Sequence, residues 1–174
     1  MFVDIKDPRI VQWIKEGKVF IYPTDTIYGI GSDATNKESV QRIREIKNSQ
    51  KPFSVIAPNK DWINEYCDAG EELKKLPGSY TFIYKSTANV ACNNGETLGV
   101  RIPNHPFSKL VEEANVPFVT TSVNKTGEKP ITSPKDIPQE ILRKIDIVVN
   151  AGIIEGNPST IIDYTKKEPK TIRN

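Results

Sequence analysis

Short β-branched runs and segments of helical period alternate along this chain, and that alternation restricts its fold more than any other feature. Lys18-Val-Phe-Ile-Tyr22, Phe53-Ser-Val-Ile-Ala57, Tyr80-Thr-Phe-Ile-Tyr84, Leu98-Gly-Val-Arg-Ile102 and Pro117-Phe-Val-Thr-Thr121 read as strands. Ahead of the first, Asp7-Pro8 followed by Ile10, Val11, Trp13, Ile14 and Gly17 predicts a short helix with N-cap, N1 proline and terminal glycine. Asn36 can cap a second helix, whose Val40, Ile43 and Ile46 recur at helical spacing before Pro52 closes it. Residues 59–75, with Trp62 and Tyr66 four apart, Phe107 to Ala114 and Ile137 to Ile145 supply further helices. Residues 86–96 and 124–135, rich in Asn, Gly or Pro, read as loops. Short strands are expected at 147–150, 160–164 and around 171–173. Helices alternating with strands cover the faces of a sheet, which predicts an α/β layered fold with a mixed sheet. One domain over residues 1–174 suits this length.

Several function classes recede on composition. The net charge of +2 demands neither a nucleic acid nor a membrane, although a locally basic face stays open. Cys67 and Cys92 stand far apart without CxxC company, as reduced thiols of a cytoplasmic protein would. His105 is the only histidine, and no Gly-x-Ser-x-Gly elbow accompanies it. The N-terminus reads without a signal peptide, and no apolar run approaches the ~18 residues of a membrane span. The Asn124-Lys125-Thr126 sequon is expected to be idle inside a cell.

The polar signals gather where strands end. Pro23 halts the first ladder, and Thr24-Asp25-Thr26 with Tyr28, Gly29 and Gly31 follows. That stretch reads either as a hydroxyl-rich ligand loop or as a tight turn whose two glycines need positive φ. Lys47 and Lys51 flank a helix end, where they can offset the helix dipole or grip phosphate oxygens. Thr97, Gly99 and Arg101 share one strand face, opposite Leu98, Val100 and Ile102. Thr120-Thr-Ser122-Val-Asn124 and Asn157-Pro-Ser159 are two more polar strand boundaries, and Arg173 lies close by the end of the chain. Hydroxyls and cations at several strand ends are how an α/β sheet builds a site for a small anion. There is no Walker A motif, and Gly29-Ile-Gly31 lacks the third glycine of a dinucleotide fingerprint.

Taken in order, Pro23-Thr-Asp-Thr-Ile-Tyr-Gly-Ile-Gly31, Ile46-Lys47 with Lys51-Pro52, Leu76-Pro-Gly-Ser-Tyr-Thr81, Gly99-Val-Arg-Ile-Pro103, Thr121-Ser-Val-Asn124 and Pro158-Ser-Thr-Ile-Ile-Asp163 resemble the YrdC family. The likeness runs from about Gly17 to Arg173. It implies a twisted mixed sheet flanked by helices, with a concave ligand-binding face. It also implies threonylcarbamoyl-AMP synthase activity: L-threonine, bicarbonate (or CO2) and ATP give threonylcarbamoyl-AMP and pyrophosphate. A downstream transferase complex would place the threonylcarbamoyl group on tRNA. By motif position, Thr26, Arg101, Thr120 and Ser159 match threonine-holding residues. Thr97, Ser122, Thr132 and Arg173 match ATP-contacting ones. Lys47 matches the lysine of a Lys-x-Arg element and Asn124 the asparagine of a Ser-Ala-Asn turn. Mg2+ is expected to ride on the triphosphate, with no organic cofactor and no metal cage in the protein.

The chain departs from the family pattern at Ser49, where the arginine of Lys-x-Arg would fall; Lys51 is the candidate to supply that charge. Val123 stands where alanine is usual. The extra C-terminal domain of longer relatives is not expected. Other readings stay open: a paralogue with different carbamoyl or adenylate chemistry, a carbamoyl-phosphate-using relative, or an RNA-binding module without turnover. Whether tRNA touches this chain weakly is open as well.

Overall fold

The computed structural model describes residues 1–93, 95–124 and 129–174. Its strands are β1 (Phe2–Val3), β2 (Phe20–Tyr22), β3 (Gly29–Gly31), β4 (Ser54–Ile56), β5 (Tyr80–Lys85), β6 (Thr97–Arg101), β7 (Phe118–Ser122), β8 (Ile147–Val149), β9 (Thr160–Asp163) and β10 (Lys170–Arg173). Five α-helices accompany them: α1 (Ile10–Lys15), α2 (Lys37–Lys47), α3 (Lys60–Tyr66), α4 (Phe107–Ala114) and α5 (Gln139–Leu142). The described strands form a mixed sheet in the order β1-β8-β2-β3-β7-β4-β6-β5-β9-β10. β7 lies mid-sheet, antiparallel to β3 on one side and to β4 on the other.

Strand alternation divides the core between the two faces. Phe20 and Tyr22 of β2 join Phe118, Ile147 and Val149 beneath Ile10 and Ile14 of α1 and Phe107 and Val111 of α4. Tyr22 stacks on Phe107 at 4.4 Å, and Phe20 meets Phe118 edge-on at 5.8 Å. Val19 and Ile21 point the other way, with Val148, towards Val40, Ile43 and Ile46 of α2. Leu98 and Val100 of β6 also join that second core, so Arg101, one residue on, faces away from it.

Helix α2 begins as expected: the Asn36 side chain accepts from the Ser39 amide at 3.0 Å, and Asn48 closes it in the left-handed region at φ 48°. Helix α1 starts later than expected, because Asp7 spends its carboxylate on the Arg9 backbone and guanidinium instead of capping the helix. Gly17, at φ 70°, ends it as read. The helix expected over 59–75 divides. Cys67 turns extended to bridge Ser86, leaving α3 and a separate 3₁₀ turn at Glu71–Lys75. The helix expected over 137–145 is only α5, preceded by a 3₁₀ turn at Pro134–Asp136 and by Pro138. Strand β1 carries no periodic signal in its two residues. Asn94 and Lys125-Thr-Gly-Glu128, which include most of the sequon, lie outside the described residues.

The largest correction concerns Gly29 and Gly31. They form a strand, not a turn, and neither has positive φ. Space explains the glycines. A Cβ on Gly31 would lie 1.9 Å from the Val119 carbonyl oxygen of β7, and one on Gly29 would meet the Tyr22 ring at 2.8 Å. The ligand loop therefore shrinks to residues 23–28, between β2 and β3.

Candidate active site

Where β2, β6 and β7 end, a cavity of about 180 Å³ opens, lined among others by Arg101, Thr120, Ser122, Ser159 and Arg173. Its floor is set by Arg101, the buried residue that ends β6. The guanidinium Nη2 donates to Asp25 Oδ1 at 2.8 Å, and Nη1 and Nη2 each donate to Thr26 Oγ1 at 3.3 Å. The Nε–H is buried and has no acceptor among the described residues. Burial pulls the Arg101 pKa down from the arginine range, and the Asp25 charge opposes that pull. A buried guanidinium beside a cavity can pair with an anion through whichever of its N–H groups the cavity reaches.

The loop over residues 23–28 is held by its own hydroxyls. Thr24 Oγ1 donates to the Ile27 carbonyl at 2.7 Å and accepts from the Thr26 and Ile27 amides. A hydroxyl has one proton, so the 2.9 Å Thr24–Thr26 contact is donated by Thr26, whose oxygen stays an acceptor for Arg101. Across the cavity, Ser159 Oγ lies 2.8 Å from Thr81 Oγ1 of β5, and Arg173 Nε donates to the Ser159 carbonyl at 3.0 Å. Thr120 and Ser122 come from β7, opposite Ser54 and Gly29 respectively.

The remaining expected residues fall elsewhere. Lys47 is buried behind the wall; its Nζ donates to the Ser122 carbonyl at 2.6 Å and to the Asn124 carbonyl and Oδ1 at 2.9 and 3.2 Å. Burial lowers its pKa to about 8. The lysine and asparagine thus brace the β7 turn, and Ser122 Oγ adds a bond to Asn124 Oδ1. Lys51 is exposed and does not line the cavity; its carbonyl accepts from Arg44 Nη1 at 2.8 Å. Thr97 sits at the other end of β6 and opens on a separate, shallow recess. Thr132 is exposed, its carbonyl held by the Ile154 amide. Asp25, Thr81 and Ser54 were absent from the expected site. Asp25 lay inside the singled-out Thr24-Asp25-Thr26 run, but its partnership with Arg101, 76 positions away, has no local signal.

Comparison with known proteins agrees with this architecture. The family model for the Sua5/YciO/YrdC domain, described as telomere recombination, matches residues 12–174, and the chain belongs to that family. It is 33% identical over 178 residues, covering 95% of this chain and 85% of the relative, to a Methanocaldococcus jannaschii protein named "Putative threonylcarbamoyl-AMP synthase". Escherichia coli YciO, named as uncharacterized, is 28% identical over 95% of this chain and 86% of its own. A double variant of P. abyssi Sua5 superposes with a TM-score of 0.88 at 26% identity, covering 99% of this chain and 56% of that one. P. abyssi Sua5 complexed with L-threonine shares the fold, with a TM-score of 0.87 at 24% identity over 99% of this chain and 57% of that one. The chain thus spans little more than half the length of the Sua5 chains.

Proposed function

We propose that this chain is a threonylcarbamoyl-AMP synthase, joining L-threonine, bicarbonate and ATP with release of pyrophosphate. One observation carries the reading: the buried Arg101 guanidinium, short of one acceptor, at a cavity whose other polar groups are hydroxyls and Arg173. A guanidinium there suits an α-carboxylate, and the hydroxyls of Thr120 and Ser159 suit the amine and hydroxyl of threonine. The threonine-bound Sua5 and the M. jannaschii relative support the same choice of amino acid.

The chemistry asks for no protein nucleophile. A carbamate oxygen of N-carboxythreonine attacks the α-phosphorus, the new P–O bond forms, and the bond to the β-phosphate oxygen breaks. The chain's task is to position the carbamate and stabilise the charge on phosphate. In this reading Ser122 and Arg173 meet the nucleotide, while Lys47 and Asn124 brace the turn that presents Ser122. Among the described residues, those lining the cavity include no carboxylate, and the nearby Asp25 has both oxygens engaged. They do not fit a protein-held metal site, so Mg2+ belongs to this reading only as the companion of ATP. Delivery of the product to a tRNA-modifying transferase in the cytoplasm completes the proposal.

A second reading, a paralogue with different carbamoyl or adenylate chemistry, draws on one feature. Lys47 is turned onto carbonyls, Ser49 carries no charge, and Lys51 is exposed, which leaves this stretch without a basic side chain on the cavity. Pyrophosphate release from ATP and bicarbonate, with and without L-threonine and with serine as competitor, decides. Threonine-dependent release with threonylcarbamoyl-AMP as product supports the synthase. Binding of ATP or threonine without release favours the paralogue. RNA binding with steep salt dependence and no turnover favours an RNA-binding module.

A further inference from the structure

The two carboxylate oxygens of Asp25 serve different segments of the chain. Its Oδ1 accepts from Arg101 Nη2 at 2.8 Å, while its Oδ2 is drawn away by the Asn104 amide at 3.0 Å and the Ser79 hydroxyl at 3.5 Å. A free carboxylate beside arginine closes a two-pronged fork. Here the second prong is tethered to two other segments, and the Arg101 Nε–H is left without an acceptor. His105 does not relieve Arg101 of this partner, because burial lowers the imidazole pKa and favours its neutral form near pH 7. Arg101 and Asp25 are therefore a nearly enclosed ion pair, with side chains 6% and 12% exposed, at a cavity whose other charged lining group, among the described residues, is Arg173.

We propose that Asp25 is a built-in competitor for Arg101: it holds the guanidinium oriented at the cavity, and its negative charge limits how tightly an incoming α-carboxylate binds. This rests on the amino-acid reading given above. Two carboxylates sharing one guanidinium repel each other, and in a poorly solvated site that repulsion is worth a tenfold or greater change in affinity. Easy release then follows for a ligand that must be turned over rather than stored, and weak binding for simple carboxylates that lack threonine's amine and hydroxyl.

The sign of the effect separates this from a structural role. Asp25→Asn in the full chain retains an oxygen acceptor for Nη2 but removes the competing charge. Its unliganded melting temperature should fall, while calorimetry should show L-threonine binding about tenfold tighter and acetate becoming a measurable ligand. Asp25→Glu, which keeps the charge, should stay near wild type in affinity. Threonine affinity that is unchanged or weaker in a folded Asp25→Asn protein overturns the proposal. If that variant does not fold, Ser79→Ala on the exposed turn decides instead. Removing one of the two tethers on Oδ2, while the Asn104 amide keeps the other, lets the Asp25 carboxylate lean towards Nε, so affinity should fall by up to about twofold; unchanged or tighter binding counts against it. Should wild type bind no threonine, the amino-acid reading fails, and acetate binding by the two proteins still tests Asp25.

Discussion

Replacing Gly31 by alanine tests the packing that positions the cavity. The added Cβ would lie 1.9 Å from the Val119 carbonyl oxygen and 2.8 Å from Phe118 Cε1, whereas ordinary contact begins at 3.4 Å. The nearest obstacle is backbone of the central strand β7 and cannot rotate aside, so β3 and β7 must part by more than an ångström. That movement strains the 2.8 Å bond from the Val119 amide to the Ser32 carbonyl and the pairing of Ile30 with Thr121. Overpacking costs about 1–3 kcal/mol, and one or two weakened hydrogen bonds add about 1 kcal/mol each. A total of about 3–4 kcal/mol lowers the melting temperature of a chain this size by roughly 10 °C. Because Ser122 pairs with Gly29 in the same ladder, threonine-dependent turnover should fall as well. Thermal unfolding by far-UV circular dichroism, with pyrophosphate release measured alongside, reads both effects. Gly29→Ala, which meets a side-chain ring instead of backbone, should lose less. A melting temperature within about 2 °C of wild type for Gly31→Ala would refute the close-approach argument.

Arg101→Ala should weaken threonine binding by about 100-fold, the loss expected for charge-assisted hydrogen bonds. The fold should survive, since Asp25 keeps the Asn104 amide; unchanged binding by isothermal calorimetry would remove Arg101 from carboxylate recognition. Burial lowers the Lys47 pKa to about 8 in the folded chain, from the ordinary lysine value of 10.5. Between those values the unfolded chain binds the proton and the folded one has released it, so Lys47's contribution to stability rises with pH across that window. Lys47→Met should remove that slope from melting curves taken between pH 7 and 10.5, and an identical slope in both proteins would contradict it. Ser49→Arg should be neutral or lower the KM for ATP; a large rise would show that the loop has been rebuilt around its present contacts, in which Ser49 Oγ accepts from the Lys51 amide.

The sequence by itself determined whatever depends on near neighbours. The period of Val40, Ile43 and Ile46 marks α2, the Asn36 cap marks its start, and the continuous apolar run in Lys18–Tyr22 marks a strand buried on both faces. Five expected contacts, Arg101, Thr120, Ser122, Ser159 and Arg173, were legible as polar residues at strand boundaries, and the structure brings them to one cavity. The rest depended on tertiary structure, because the forces involved act between segments far apart in the chain. Gly29 and Gly31 look like turn residues until β7 and the Tyr22 ring fill the space a side chain would need. Lys47 looks like a phosphate grip until burial places its ammonium against the carbonyls of the β7 turn. Thr97 shares a strand face with Arg101, yet four residues of extended backbone, roughly 13 Å, place it on a different recess. Asp25 is only one acidic residue among 22 in the sequence. Its role is set by Arg101, Asn104 and Ser79, which the folded sheet places around a single carboxylate.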